Sequence, residues 1–237
     1  MLIYSLKRLG VALLVALTVS VITFTLLRFS GDPAAAMAGE AATEEDIEYI
    51  RVHYGFDKSL PEQYASWLFK ALQGDFGQSI YLKVPVVDII VEKAPVTMIL
   101  GACALSFSLL LAIPLGVLAA MRPNTIFDRI ALGLAVVGQA LPTFWFALIM
   151  IIFFGVTMRW LPISGNSSWK NFIMPSIALG YYATPAIMRL TRAGMLDVLS
   201  SDYIRTARAK GLRPGVVLFK HALRNAIIPV VSLSAVQ

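Results

Sequence analysis

Four long stretches of this chain contain no Asp, Glu, Lys or Arg, and they constrain its fold more than any other feature. They cover residues 9–27, 94–121, 130–158 and 171–188. About 20 mostly apolar residues are enough to cross a bilayer as a helix. Charged residues make up only 14% of the 237 residues, against roughly 25% in soluble domains. The sequence therefore predicts an all-α membrane protein with several helical spans.

The order of these stretches predicts one continuous membrane domain. The last 13 residues, 225–237, are uncharged and too short to span, so we interpret them as the start of a fifth helix, with an interfacial segment as the alternative. The predicted segments are an N-terminus at 1–8, spans at 9–28, 96–121, 130–158, 171–188 and from 225 to 237, and loops at 29–95, 122–129, 159–170 and 189–224.

The distribution of Lys and Arg predicts the orientation of the chain. With the N-terminus inside, the short inner segments carry 12 Lys and Arg residues and the short outer loop carries 2. Short cytoplasmic loops are enriched in these residues. The 29–95 loop, with 5 Lys and Arg against 11 Asp and Glu, then lies outside, where a long loop has little influence on topology. We expect a cytoplasmic N-terminus.

The outer loop contains local signals for ordered structure. Ser59 and Glu62 form a predicted capping box, and 43–46 resembles a second helix start. The segment 74–77 reads as a turn, and the apolar residues of 86–90 predict a short helix at the membrane interface. One face of the helix after Ser59 would carry Leu60, Tyr64, Trp67 and Ala71. Two interpretations remain open, a packed cap over the spans and a docking surface for an external protein.

Prolines within the spans point to a possible pathway. Pro142 and Pro175 are expected to kink their helices, and Gln139 and Thr143 lie close to Pro142 in sequence. These four residues are our candidates for shaping a central pathway, and plain helix shape is the alternative. No charged residue lies within a confident span, which argues against a proton relay or an ion-coupled carrier.

The inner loop carries the most informative local pattern. Residues 202–230 hold six Lys and Arg residues, one His and one acid. We predict a short helix running from Asp202 to Lys210, ended by Gly211, with Pro214 in the first turn of a second helix. A helix anchored at both ends would transmit a displacement to the two spans that it connects. The alternative is an ordinary basic loop that only fixes topology.

Motifs in and beyond this loop resemble those of a known family. RTARAKG followed by HALRNAIIPV resembles the EAA loop of ATP-binding-cassette importer permeases, with Arg205-Thr206-Ala207 at the first three positions and Gly211 at the glycine. The Glu and the first Ala of that motif are replaced here. The segments 31–33, 74–77 with Ser79, 142–145, 161–162 and 195–198 also resemble motifs of the dipeptide/oligopeptide subfamily, in its first permease subunit.

The resemblance implies a six-span permease, of which this chain would hold four complete spans and part of a fifth. We therefore expect a truncated chain. It also implies a bacterial inner-membrane location, a second homologous permease, two ATPase subunits that bind ATP and Mg²⁺, and an extracytoplasmic binding protein. By resemblance, the ATPase-coupling residues are Tyr203, Arg205, Thr206, Ala207, Arg208, Lys210, Gly211, His221 and Arg224. For His221 we favour packing or capping within the loop.

Other chemistry finds little support in the sequence. No phosphate-binding GxxxxGK[ST] motif occurs, and the lone Cys103 and two distant histidines offer no metal-site spacing. We expect no enzyme activity and no cofactor in this chain, and the loop has too few aromatics to bind nucleic acid. The favoured function is peptide import. Nickel chelates, glutathione and opines are alternative substrates, and a non-transporting membrane scaffold is the alternative of another class.

Overall fold

The computed structural model describes residues 2–39, 41–79 and 81–235, without the side chains of Leu2, Leu134 and Gln139. Within these ranges every regular element is a helix, so the predicted all-α fold is confirmed. The chain divides into two compact units, residues 1–93 and 94–237.

The first unit contains four helices and the start of a fifth. They are α1 (Leu2–Phe29), α2 (Pro33–Ala38), α3 (Glu44–His53), α4 (Leu60–Leu72) and the first residues of α5 (Val86–Met121). The second unit holds the rest of α5 and seven further helices. They are α6 (Ile126–Ala140), α7 (Thr143–Met150), α8 (Lys170–Ser200), α9 (Asp202–Ala209), α10 (Pro214–Val216), α11 (Arg224–Ala226) and α12 (Ile228–Ser234). Two π-helical segments, Ile151–Thr157 and Val217–Leu223, follow α7 and α10.

Among the described residues, some helices are long and apolar enough to cross a membrane, judged by length and composition. Two single helices qualify, Ile3–Phe29 and Val86–Met121. The number rises to four if each of two bent pairs counts as one span, Ile126–Gly138 with Thr143–Thr157 and Pro214–Ala226 with Ile228–Ser234. α8, which contains the predicted 171–188 span, is not among these candidates, and its membrane placement stays a prediction.

The helices of the first unit begin where their caps predict. The Thr43 hydroxyl accepts a hydrogen bond from the Asp46 N–H at 3.3 Å, and the Asp46 carboxylate accepts one from the Thr43 N–H at 3.0 Å. The Glu62 carboxylate likewise accepts from the Ser59 N–H at 3.1 Å. Such reciprocal bonds satisfy backbone groups that a helix start leaves open. The capping box predicted at Ser59 and the helix start predicted at 43–46 are confirmed, and the second of these is also a capping box.

The apolar face predicted for α4 packs against α1. The Phe24 ring lies 5.4 Å from the Tyr64 ring and 5.8 Å from the Trp67 ring. The Ser20 and Tyr64 hydroxyls are 2.7 Å apart, and the Arg28 guanidinium lies over the Phe24 ring at 5.0 Å. Edge-on and tilted aromatic contacts and one hydrogen bond therefore hold α4 on the last turns of α1.

The interfacial helix expected at 86–90 is wrong as a separate element. Val86 begins α5, which continues unbroken through Pro95 and Pro114 to Met121. The helix continues from Val86 into the apolar residues that follow. The charged residues Asp88, Glu92 and Lys93 are compatible with a helical backbone, so they do not interrupt it. Gly74 and Gly77 both have positive φ, at 86° and 78°, so the turn predicted at 74–77 is confirmed.

Glycines let the helices of the second unit approach closely. A Cβ on Gly116 of α5 would lie 2.7 Å from the Met188 carbonyl oxygen of α8, and one on Gly194 of α8 would lie 2.8 Å from the Ala226 carbonyl oxygen. Small residues permit such backbone contact between membrane helices. The buried hydroxyls of Ser108 on α5 and Thr184 on α8 also meet at 3.3 Å. α8 thereby becomes the central helix of this unit.

Candidate functional site

The candidate site is α9 together with the turn and helices that hold it. Asp202–Ala209 forms a helix directly after α8, with Ser201 alone between the two helices in extended conformation. Asp202 in its first turn suits the positive end of the helix dipole, and Arg208 in its last turn suits the negative end. The predicted short helix is therefore present.

Gly211 ends this helix in the way the sequence predicts. Its φ is +74°, its N–H donates to the Arg208 carbonyl at 2.9 Å, and the Leu212 N–H donates to the Ala207 carbonyl at 3.4 Å. This pair of bonds is the Schellman pattern, which favours glycine at the left-handed position. Pro214 then lies in the first turn of α10, so the chain reverses within a few residues.

One face of α9 is buried in the second unit. Ile204 and Ala207 belong to a cluster of buried apolar residues with Met195 at the end of α8. Other members of the cluster are Val117 and Ala120 of α5, Val217, Ala222 and Ala226. α9 is therefore packed onto the ends of several helices. Ala207, one of the nine predicted coupling residues, faces this cluster and not the solvent.

The other face of α9 is exposed and basic. Tyr203, Arg205, Thr206, Arg208 and Lys210 are all exposed, as are Gly211 and Arg224. Arg205 pairs with Asp202 on the same helix. Net positive charge on an exposed helix favours an acidic partner surface.

A side-chain bridge ties α9 to the segment that returns to the bundle. The Asn225 amide donates to the Tyr203 hydroxyl at 2.9 Å and to the His221 carbonyl oxygen at 3.2 Å. His221 is half-buried in the π-helical segment Val217–Leu223. The structure therefore brings Tyr203 and His221 together through Asn225, a residue that the sequence interpretation did not single out.

A cavity of about 450 Å³ lies beside this turn. Arg208 and Gly215 line it with apolar side chains from α5, α8, the turn after α9, α10 and the π-helical segment that follows, namely Met121, Leu199, Leu212, Pro214, Val217 and Leu218. The cavity leaves the outer turn of the loop less tightly packed than the cluster around Ile204.

The structure places three of the candidate pathway residues, Pro142, Thr143 and Pro175, on different elements. Pro142 separates α6 from α7, and the two helical stretches on either side of it are bent by 97°. Thr143 begins α7. Pro175 lies on α8 and lines a smaller cavity of about 160 Å³ whose described lining includes neither Pro142 nor Thr143. The side chain of Gln139, the fourth predicted pathway residue, lies outside the described part of the chain.

Sequence interpretation missed a buried ion pair between α6 and α8. Arg192 donates from Nε and Nη2 to the two carboxylate oxygens of Asp128, both at 2.6 Å. The Asn124 N–H donates to Asp128 at 2.9 Å. The side chains are only 3% exposed for Asp128 and 21% for Arg192. No local sequence pattern joins residues 64 positions apart, and each charge alone reads as part of a loop.

The fold and the site together define a helical membrane protein with a basic helix braced on its bundle. Comparison with known proteins narrows this class. The family described as the inner membrane component of binding-protein-dependent transport systems matches residues 112–237, and its N-terminal counterpart matches residues 1–101. The two matches include most of the chain.

Individual relatives agree with this family. The chain is 39% identical over 238 residues to the glutathione transport system permease protein GsiC of Pectobacterium atrosepticum, covering 100% of the chain and 78% of the relative. It is 38% identical to GsiC of Escherichia coli K12 with the same coverage. It is 36% identical over 244 residues to a probable peptide ABC transporter permease, y4tP, of Sinorhizobium fredii, covering 99% of the chain and 78% of the relative.

The chain belongs to this family and is an ABC importer permease of the dipeptide/oligopeptide type. The resemblance inferred from the EAA-like loop is confirmed.

Proposed function

We propose that this chain forms half of the translocation pathway of a peptide importer and receives its driving force through α9. The observation that carries the proposal is the division of α9 into two faces. Ile204 and Ala207 anchor the helix in the bundle, whereas Tyr203, Arg205 and Arg208 face outward. A helix anchored in this way moves with the bundle when a partner pushes on its exposed face.

The proposed orientation places the N-terminus and α9 in the cytoplasm. The support is the excess of Lys and Arg in the short segments on that side, 12 against 2. The segment that carries α2, α3 and α4 then lies on the extracytoplasmic side. There it would meet a substrate-binding protein, which the family description associates with these systems.

The proposed partners follow from the same assignment. They are a second, homologous permease, two ATPase subunits and an extracytoplasmic binding protein. ATP and Mg²⁺ would be bound by the ATPase subunits, and the exposed basic face of α9 suits an acidic groove on one of them. The chain itself would then be a non-catalytic subunit of an ATP-driven translocase.

For the substrate, we propose peptides, and glutathione as the second candidate. Glutathione is supported by the relatives named GsiC, which are glutathione permeases at 39% and 38% identity, while another relative is named for peptides. Glutathione is itself a short peptide, so one pathway chemistry serves both. A pathway must hold its substrate weakly enough to release it.

The first test is a pull-down of this chain from its native membrane in mild detergent, followed by mass spectrometry. We expect recovery of a second permease and an ATPase from the intact chain. The variant that carries Arg205→Glu and Arg208→Glu should keep the permease and lose the ATPase. Lys58→Glu with Lys70→Glu changes charge equally in the 29–95 loop, which has little influence on topology, and should lose neither. A folded chain that recovers no ATPase would support a membrane scaffold.

A further inference from the structure

The buried Asp128–Arg192 ion pair joins two separate helices of the second unit, α6 and α8. Both carboxylate oxygens of Asp128 face the guanidinium at 2.6 Å, and Asp128 also accepts from Asn124. A two-pronged contact of this kind fixes the angle as well as the distance between two groups. The pair therefore sets how the first turn of α6 meets α8.

Stability alone is a weak reason for such a contact. Taking both charges out of water is costly, and apolar residues of similar volume often stabilise a protein as well or better. A buried pair does resist separation, because loss of one partner leaves an uncompensated charge. The pair therefore acts as a rigid joint between α6 and α8, which means that a displacement of one helix displaces the other.

The position of Arg192 connects this joint to α9. Arg192 lies on α8, which continues to Ser200, and α9 starts two residues later. On the same stretch, Gly194 touches the backbone of Ala226, and the fully buried Met195 packs with Ile204. The end of α8, α9 and α11 thus form one packed body that includes Arg192.

The position of Asp128 connects the joint to the helices around Pro142. Asp128 lies in the first turn of α6. α6 also packs on α8 further along, where a Cβ on Gly138 would lie 3.1 Å from the Pro185 ring. Beyond Ala140 the chain turns at Pro142 into α7. If Asp128 is displaced, α6 is displaced with it, and α6 leads into this turn.

We infer that Asp128 and Arg192 are positioning residues that pass the movement of α9 to α6 and to the turn at Pro142. The inference rests on the proposed function, because it assigns α9 as the element that a partner ATPase moves. Neither residue is assigned a contact with substrate or nucleotide. Their role is to keep α6 and α8 moving as one body during each cycle of ATP hydrolysis.

The test uses the complete transporter assembled with this chain in lipid vesicles, with short peptides and glutathione as transport probes. Asp128→Asn keeps the shape of the carboxylate without its charge, and Arg192→Lys keeps the charge without the two-pronged geometry. We expect both variants to recover the ATPase and to hydrolyse ATP at the basal rate. Substrate moved per ATP hydrolysed should fall by about fivefold or more.

Two further variants separate coupling from folding. Asp128→Arg combined with Arg192→Asp restores opposite charges and should recover part of the lost coupling. Asp32→Asn removes a carboxylate from an exposed pair with Arg51 and should leave the ratio unchanged. Parallel loss of assembly, hydrolysis and transport in both Asp128→Asn and Arg192→Lys would mean a purely structural role and overturn the inference, as would a wild-type ratio.

A distance measurement tests the joint directly. Cys103 is the only cysteine of the sequence, so a Cys103→Ser chain accepts spin labels at Ala209→Cys on α9 and Ile126→Cys on α6. In the wild-type background this distance should stay constant when ATP is added, and in Asp128→Asn it should change. A constant distance in both overturns the inference alone. A wild-type chain that recovers no ATPase overturns the proposed function and the inference with it.

Discussion

Two ion pairs in this chain show how differently its two units are built. Asp32 and Arg51 pair at 2.6 Å in the first unit, with side chains 38% and 37% exposed. Asp128 and Arg192 pair at the same distance in the second unit and are largely buried. An exposed pair is screened by water and contributes little, whereas a buried one strongly resists loss of a partner. Distance alone therefore says little about what an ion pair does.

The same contrast extends to the surrounding helices. α3 and α4 of the first unit begin with capping boxes, which are contacts between residues three positions apart. α9 of the second unit has a buried face made with residues from α5, α8 and α11. We expect changes in the first unit to have local effects, and changes around α9 to spread through the unit that contains it.

The largest expected effect comes from removing the buried acid. Asp128→Ala leaves the Arg192 guanidinium without its partner, and we expect a loss of about 3 kcal/mol in the free energy of unfolding. Thermal unfolding in detergent measures this loss. Asp32→Ala is the exposed comparison. It also removes the cap bond from the Ala34 N–H, so we expect a cost of about 1 kcal/mol, mostly from the cap. Equal losses would remove the distinction between the two pairs.

A somewhat smaller effect is expected at the close contact between α8 and α11. Gly194→Ala places a Cβ 2.8 Å from the Ala226 carbonyl oxygen. The three atoms nearest to this Cβ all belong to the Ala226 backbone. The backbone must therefore shift, and we expect a loss of about 1–3 kcal/mol in the free energy of unfolding. Gly133→Ala is the control, since a Cβ there meets nothing within 4 Å. If the two variants unfold at the same temperature, the helices are not held at this contact.

Gly211 tests the turn, where space is not the constraint. A Cβ on Gly211 would meet nothing within 4 Å, yet its φ of +74° disfavours any branched residue. We expect Gly211→Val to cost about 1–2 kcal/mol at the turn. It should also lower substrate-stimulated ATP hydrolysis while membrane insertion stays normal. Gly215→Ala serves as the control, and normal transport by Gly211→Val would count against α9 as the coupling element.

Loss of a cap in the first unit should have a smaller and local effect. Thr43→Ala removes the hydroxyl that accepts from the Asp46 N–H, at a cost of about 1 kcal/mol. Limited proteolysis should show faster cleavage near α3. Transport by the assembled complex should not change, and a transport defect would show that α3 has more than a local role.

The smallest effect is the pH dependence of the exposed pair. The hydrogen bond from Arg51 is the main cause that lowers the pKa of Asp32. A lowered pKa means stabilisation that is present at neutral pH and is lost as pH falls below the ordinary aspartate range, about 4. Asp32→Asn should therefore be slightly less stable than wild type at pH 7. The difference should shrink in acid, and a difference that grew would reverse this sign.

Local signals in the sequence predicted the elements that depend on neighbouring residues. The caps at Thr43 and Ser59 and the glycine at the end of α9 are of this kind, because their hydrogen bonds join residues close in sequence. Family motifs then supplied the class of protein. The coupling residues predicted on α9 lie mostly on its exposed face, but one of them, Ala207, lies on the buried face.

Contacts between distant residues were not predictable in this way. Asp128 and Arg192 lie 64 positions apart, and Gly194 reveals its contact with Ala226 only when α8 and α11 are placed. The helix expected at 86–90 failed for a related reason. Its composition fits an interfacial helix, and only the continuous backbone of α5 shows that no break precedes the span.

The π-helical segment Val217–Leu223 gives the chain a further property. Its backbone bonds reach one residue further than those of an α-helix, so each turn is wider and holds more residues. Rewinding such a turn to the ordinary pitch rotates every side chain that follows it about the helix axis. α12, whose Val230 packs with Ile187 and Met188 of α8, comes shortly after this segment. A small change in the winding of this segment would therefore rotate the helix that follows it about its own axis.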